Sequence, residues 1–389
     1  MSDLFETRRR KISWCPVEQN AVIDWNEIEA ENSAWIDPMR QTLQDTAWHG
    51  EGNAWTHTRM VCESLVVSDD WKMCSEQERF VLFLAALLHD VGKPECTKIE
   101  DGHVVSPNHA PRGSQIARRF LYETLGMAGS PECFRLRELI VSLIRRHTLP
   151  YNILKSKNAV RDIVMVSTVL SCRLLATLSK ADINGRIFDD KNQKLECVEL
   201  FCQLAEENDC LDRSYSFHSN HSRYAWFSGT LSHPGEMLFD DTWGEVVLMS
   251  GLPATGKDTY IERHVADRPV ISLDSLRRQM NISWNDDQTQ VVEAAREKAK
   301  KFLRSKTSFV WNATNLRYDF RRSLIRLCTN YQAAVRIVYL ENDLPTLIQR
   351  NRTRPHPVAE SAYNTLLDRW EIPTVLESHE LTMPRNDYP

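Results

Sequence analysis

The chain has 389 residues, 42% of them apolar and 26% charged, and a net charge of −5. This length holds two to three domains and the composition is ordinary for folded proteins, which excludes a single small module, a disordered chain and a fibrous repeat. The longest apolar run, residues 80–88, is about half of what a membrane span needs, and the negative balance argues against a protein that coats nucleic acid. The charge is uneven: residues 1–240 carry −7 and residues 241–389 carry +2. A polyanion would therefore meet local arginine clusters rather than a basic surface. The opening residues, MSDLFETRRRK, have no apolar stretch of the secretory kind. None of the ten cysteines forms a C-x-x-C pair, so they are expected as reduced thiols in a cytoplasmic protein.

Residues 1–40 carry Trp14, Trp25 and Trp35 among many acids and receive no role from the sequence. Residues 41–211 read almost wholly as helix. The run 80–88 is too apolar for a surface helix and suits a central buried one, ended by Gly92 and Pro94. Further helical periodicity covers 114–125, 136–147 and 164–186. Residues 212–242 turn polar and aromatic and are expected as a linker. From 243 to 389 the rhythm alternates. Short apolar strands at 245–250, 270–273, 308–311 and 334–340 are separated by helical segments near 259–265, 287–304 and 318–331. Strands spaced by helices imply a parallel sheet. The expected architecture is multi-domain: an N-terminal all-α domain and a C-terminal α/β domain.

In the helical part, His57, His89 with Asp90, His109, His147 and Asp182 form an ordered series. Imidazole combined with carboxylate suits Zn, Fe, Mn, Ni or Co better than Ca. Such ions lower the pKa of bound water and clamp phosphoryl oxygens. The surrounding segments are Trp55-Thr-His57-Thr, Ala85-Ala-Leu-Leu-His89-Asp90-Val-Gly-Lys93-Pro, His109-Ala-Pro-Arg-Gly113, Arg145-Arg-His147 and Lys180-Ala-Asp182-Ile-Asn-Gly-Arg186. In order and type this series resembles the HD phosphohydrolase superfamily, particularly the HD module of tRNA nucleotidyltransferases. The resemblance implies that His57, His89, Asp90 and Asp182 hold one metal and that Asp90 bridges to a second, bound by His109 and His147. Lys93 and Arg186 would contact phosphate. His103, His218, His221 and His233 fall outside the pattern and are read as surface or linker residues.

In the α/β part, Gly251-Leu-Pro-Ala-Thr255-Gly256-Lys257 follows a strand and precedes a helix. Here the glycines let backbone N–H groups cradle phosphate oxygens while Lys257 reaches the β- and γ-phosphates. The position that usually ligates Mg²⁺ through a hydroxyl is Asp258, followed by Thr259. Either the carboxylate binds Mg²⁺, directly or through water, or the ligand shifts to Thr259. Ser272-Leu-Asp274-Ser-Leu-Arg277 stands at a strand end, where Asp274 suits an acceptor hydroxyl's proton and Arg277 an acceptor phosphate. An N-cap role for Asp274 is compatible with that. Trp311-Asn-Ala-Thr-Asn315 closes the third strand, and Arg350-Asn-Arg352-Thr-Arg354-Pro offers arginines for developing charge. Together these resemble the P-loop polynucleotide kinases. The resemblance implies Asp274 as general base, Arg277 on the acceptor phosphate, Arg352 or Arg354 on ATP, and Mg²⁺ with the nucleotide.

An HD module ahead of such a kinase resembles the bifunctional bacterial end-healing enzymes called HD-Pnk. The resemblance implies phosphorylation of 5′-hydroxyl ends and removal of 2′,3′-cyclic, 2′- or 3′-phosphates from RNA or DNA, with a ligase as an expected partner and no membrane. Two other expectations stand beside it. One is a nucleotide or metabolite kinase joined to an HD nucleotidase, and the other is an ATP-gated regulatory or defence protein.

Overall fold

The structure is a computed structural model and describes residues 12–283 and 286–384. The chain divides into two compact units. The first runs to Met127 and resumes over Glu132–Tyr215; the second takes Ala128–Pro131 and the chain from Ser216 onward.

The first unit is helical apart from the small antiparallel hairpin of β1 (Lys98–Glu100) and β2 (His103–Val105). Its longer helices are α1 (Trp25–Gln41), α2 (Ala54–Val67), α3 (Glu76–Leu88), α4 (His109–Glu123), α5 (Pro131–Arg146), α6 (Cys172–Asn184) and α7 (Lys191–Glu207). Helix α3 starts at a capping box of Ser75 and Glu78, and every residue from Arg79 to Leu88 is buried, so it forms the core that the others surround. At its end, Gly92 lies against α4. A Cβ there would sit 2.3 Å from the His109 carbonyl oxygen and 2.5 Å from the Gly113 nitrogen. Gly92→Ala is therefore expected to push α4 away and to cost about 2–3 kcal/mol. A lowered urea midpoint together with weakened metal retention would show it, and an unchanged midpoint would count against the contact.

Three sequence expectations differ from what is found here. The periodic stretch 164–186 is two helices, Ala159–Ser167 and α6, bent by 109°. Hydroxyls explain the break: Ser167 and Thr168 bond back to Val164 and Met165, and Ser171 caps α6 by accepting from Leu174 N. The segment up to residue 40 belongs to this unit wherever it is described, residues 1–11 lying outside the described residues. Trp25 and Trp35 pack edge-on against Trp55 at 5.7 and 6.0 Å, and Ile28, Ile36 and Met39 are fully buried. The acids there receive indole N–H groups: Glu31 from Trp14, Glu29 from Trp55. Finally, the stretch 212–242 carries a helix, α8 (Asn220–Ser228), that belongs to the second unit. Tyr224 stacks on His379 at 4.3 Å, and Arg223 donates to the carbonyls of Ser378 and His379. His221, read as a surface residue, has both ring nitrogens buried there.

The rest of the second unit is a five-stranded sheet with helices between its strands. In chain order the elements are β3 (Glu245–Ser250), α9 (Lys257–His264), β4 (Val270–Ser272), α10 (Leu273–Met280), α11 (Thr289–Arg304), β5 (Val310–Asn312), α12 (Tyr318–Thr329), β6 (Ala334–Tyr339), α13 (Leu344–Thr353), α14 (Glu360–Asp368) and β7 (Glu380–Thr382). The strand order is β4-β5-β3-β6-β7 and every pairing is parallel. Later strands flank β3 on both sides, so its C-terminal end is the switch point where open α/β sheets bind ligands. Among the described residues no single helix is long and apolar enough to cross a membrane.

Candidate active sites

All six candidate metal ligands of the first unit converge. His57 comes from α2, His89 and Asp90 from the end of α3, His109 from the start of α4, His147 from just past α5 and Asp182 from α6. Five of them are buried, and the sixth, His109, is only partly open. His57 Nε2 lies 3.1 Å from Asp182 Oδ1, 3.6 Å from Asp90 Oδ2 and 3.3 Å from His89 Nε2. Asp90 Oδ1 is 3.5 Å from His109 Nε2. The candidate ligands form two triads, His57–His89–Asp90 and Asp90–His109–His147, with Asp90 in both, and His57 also belongs to a third close group with His49 and Glu51.

The tautomers follow from the backbone. His89 Nδ1 donates to Ala86 O, His109 Nδ1 to Ser106 O and His147 Nδ1 to Ile144 O, each at 2.7–2.8 Å, and His57 Nδ1 faces Gly185 O and Glu51 Oε1. With its Nδ1 placed as a donor, each ring in its neutral form turns an Nε2 lone pair to the centre; for His89, burial opposes protonation, but Asp90 and Asp182 beside it outweigh that and raise its pKa in the metal-free protein. The Nε2 atoms of His57 and His89 lie 3.3 Å apart. His147 Nε2 is buried and has no hydrogen-bond partner, and Asp90 Oδ2 has no aligned one. Burial pushes His147 down to about 3 and lowers His109 as well, keeping both rings in the neutral, ligating form. Burial alone would raise Asp90 and Asp182, but His89 and Lys93 beside the first, and Arg186 and His57 beside the second, hold both well below the usual carboxylate range. A buried convergence of bare acceptors is what a cation requires, so the donor set fits one or two divalent metals.

The two expected phosphate contacts are also here. Lys93 Nζ lies 2.7 Å from Asp90 Oδ2. Arg186 grips Asp182 with Nε and Nη2, at 2.9 and 2.5 Å, and its Nη2 donates to Tyr151 Oη. Four neighbours were not read from the sequence: Gln44, His49, Glu51 and Tyr151. Glu51 accepts from His49 Nδ1 at 2.7 Å and from Ile187 N at 3.0 Å, and orients His57. The one available signal was His49-Gly-Glu51-Gly, a polar turn just ahead of the helix that carries His57.

In the second unit, the loop from Gly251 to Lys257 turns through three residues with positive φ: Gly251 at 146°, Ala254 at 63° and Gly256 at 90°. A Cβ on Gly251 would meet Leu340 O at 2.4 Å, so the position admits glycine alone. Gly256 caps α9, whose N-terminus faces the loop. Lys257 Nζ donates to Gly251 O and Leu252 O at 3.0 and 2.7 Å. The Thr255 side chain is buried and bonds Leu252 O, so only its backbone is placed for a nucleotide. Asp258 Oδ1 accepts from Asn312 Nδ2 at 2.6 Å, while Asn315 and Thr314 brace the loop through Met249 O and Gly251 N. The N-A-T-N segment thus supports the loop and holds Asp258 rather than Thr259.

Asp274 lies in the first turn of α10, and its cap is Ser272. Asp274 accepts from Arg277 Nη1, and Arg277 Nε donates to Gln288 Oε1. Burial depresses Lys257 to about 8; Arg354 adds to that, while Asp258 and Asp274 oppose it, so three charged groups act on one ammonium. Arg352 instead pairs with Glu360 at 2.8 Å and is largely exposed. Of the two arginines, Arg354 is the one beside the phosphate loop.

Comparison with known proteins agrees with this division. Residues 54–183 match the HD domain family and residues 246–373 match an AAA domain family, so an HD domain and a P-loop kinase-like domain stand in one chain. A solved structure of a presumed kinase from Chloroflexus aurantiacus is similar at 19% identity and a TM-score of 0.30, covering 36% of this chain and 88% of its own. No curated protein matches the chain.

Proposed function

We propose that this chain heals broken nucleic-acid ends, adding the γ-phosphate of ATP to a 5′-hydroxyl and removing a 2′,3′-cyclic, 2′- or 3′-phosphate. The observation that carries the reading is the pairing of a buried, acceptor-lined His/Asp centre with a P-loop lysine that shares its surroundings with Asp274 and Arg354. One site suits hydrolysis of phosphate esters and the other suits phosphoryl transfer. Ribonuclease-type cleavage leaves both a 5′-hydroxyl and a cyclic phosphate, neither of which a ligase can use, so the two chemistries form one task. The Asp274 side chain is 65% exposed, which leaves the acceptor end open to a long chain.

In the kinase domain, backbone N–H groups and Lys257 bind the triphosphate, and Asp258 is the carboxylate that would hold Mg²⁺. Asp274 takes the proton of the 5′-hydroxyl, and Arg277 holds Asp274 in place and faces the neighbouring phosphate. In the HD domain a bound divalent metal (Mn, Ni, Co, Fe or Zn) supplies Lewis acidity and a lowered water pKa. There Asp90 joins the two triads, Lys93 and Arg186 offset carboxylate charge, and Glu51 fixes the His57 tautomer. The test is γ-labelled ATP with 5′-hydroxyl RNA and DNA oligonucleotides beside a nucleoside control, and cyclic-phosphate oligonucleotides with each metal. Label transfer to oligonucleotides and release of the cyclic phosphate are expected. Transfer to the nucleoside alone would replace this reading with a metabolite kinase, and ATP binding without any transfer with a regulatory protein.

A further inference from the structure

The buried polar atoms of the HD centre that lack an aligned hydrogen-bond partner sort by sign. His147 Nε2 and Asp90 Oδ2, the latter beside Lys93 Nζ, are acceptors that a metal cation would take. The Nε2 of Gln44 is also buried and without a partner, but an amide N–H₂ is a donor and cannot ligate a metal. Gln44 is 7% exposed. It follows Leu43, which is 68% exposed and bridges to Asn53, so alternation turns Gln44 inward just ahead of α2. Its amide orientation is fixed chemically. Oε1 accepts from Lys93 Nζ, and a flipped amide would set N–H₂ against an ammonium. Lys93, itself 6% exposed, lies 2.7 Å from Asp90 Oδ2. Gln44 is thus one contact from Lys93 and two from the carboxylate shared by both ligand triads.

A buried donor is stable only against an acceptor, and charge-assisted bonds to anionic oxygen are the strong ones. Beside a centre that would hold one or two cations, that acceptor is the anion such cations attract. Resting on the reading of the first unit as a metal-dependent phosphoesterase, we propose that Gln44 Nε2 donates to a non-bridging phosphoryl oxygen of the substrate, making Gln44 and Lys93 one anion-binding pair. Gln44 is then a substrate-binding residue, with Oε1 setting the lysine and Nε2 reading the phosphate.

Gln44→Glu separates the two halves of this role: it keeps an oxygen for Lys93 and removes the donor. Gln44→Met removes both at similar volume and covers the case in which the acid misfolds. Each is made in the full chain on a Lys257→Ala background, so that the phosphate loop does not contribute, and loaded with Mn²⁺. Bound manganese is counted by elemental analysis, and the affinity for inorganic phosphate is measured by calorimetry. Both variants are expected to keep the parent's metal count and to weaken phosphate roughly ten- to hundredfold, Gln44→Glu at least as much as Gln44→Met. If Gln44→Glu stays within about twofold of the parent, the amide only props Lys93 and the proposal falls. Metal loss in the variants would overturn it too, by making Gln44 an organiser of cations. A parent that binds no phosphate when loaded with Mn²⁺ would instead defeat the phosphoesterase reading on which this inference rests.

Discussion

Asp90→Asn is expected to abolish metal retention and phosphoester hydrolysis in the HD domain while leaving ATP-dependent transfer by the kinase domain in place. Asp90 is the single residue shared by both ligand triads, its Oδ2 facing His57 and His89 and its Oδ1 facing His109. The asparagine is isosteric, so the cavity survives, but it removes one negative charge and turns an N–H₂ toward imidazole nitrogens or toward Lys93. Loss of a ligand common to two ions removes both, and hydrolysis should fall by at least about a thousandfold. A second effect has its own readout. Lys93 keeps only Gln44 as a neutral partner, and a buried ammonium stripped of its counter-ion costs about 3–5 kcal/mol. The metal-free variant should therefore melt below the metal-free parent. Elemental analysis, thermal melting and hydrolysis of a cyclic-phosphate oligonucleotide decide it; full metal content with normal hydrolysis would remove Asp90 from the centre.

The convergence of the candidate ligands was legible because each belongs to a short local pattern at a helix end, and a helix end fixes where its side chain points. His89 and Asp90 follow the one helix too apolar to lie anywhere but the core, so their burial was implied by their neighbours. The phosphate loop was legible for the same reason, since its glycines and lysine act within seven residues. Gln44, His49 and Glu51 were not, because their roles exist only once the stretch after α1 folds back over the His57 helix. No periodicity marks such a return. The short strand β7 carries three residues and no pattern of its own; it is defined by pairing with β6. Likewise Arg352 and Arg354 are equivalent in sequence, and only Glu360, eight residues past the first, separates them. Trp25 and Trp35 of the N-terminal segment needed Trp55 as a partner before their packing made sense.

Lys257→Ala should produce the mirror image of the Asp90 result: phosphoryl transfer lost by about a thousandfold or more, hydrolysis by the HD domain retained. The wild-type kinase site also carries a pH signature that the variant should lack. Burial first, and Arg354 second, depress the Lys257 ammonium from 10.5 to about 8 in the free protein. A triphosphate beside Nζ adds negative charge and stabilises the protonated form, so the pKa rises when nucleotide binds. Binding therefore takes up a proton wherever pH lies between the free and bound values. The sign follows: below pH 8 the lysine is already charged and ATP affinity is flat, whereas above it affinity falls, approaching tenfold per pH unit. Fluorescent-nucleotide titrations at pH 7, 8 and 9 read this directly. The parent should weaken between pH 8 and 9, while Lys257→Ala should be weak and level across the range. A parent with level affinity would show that Nζ does not meet the phosphates, and the carbonyl contacts to Gly251 and Leu252 would then be its working partners.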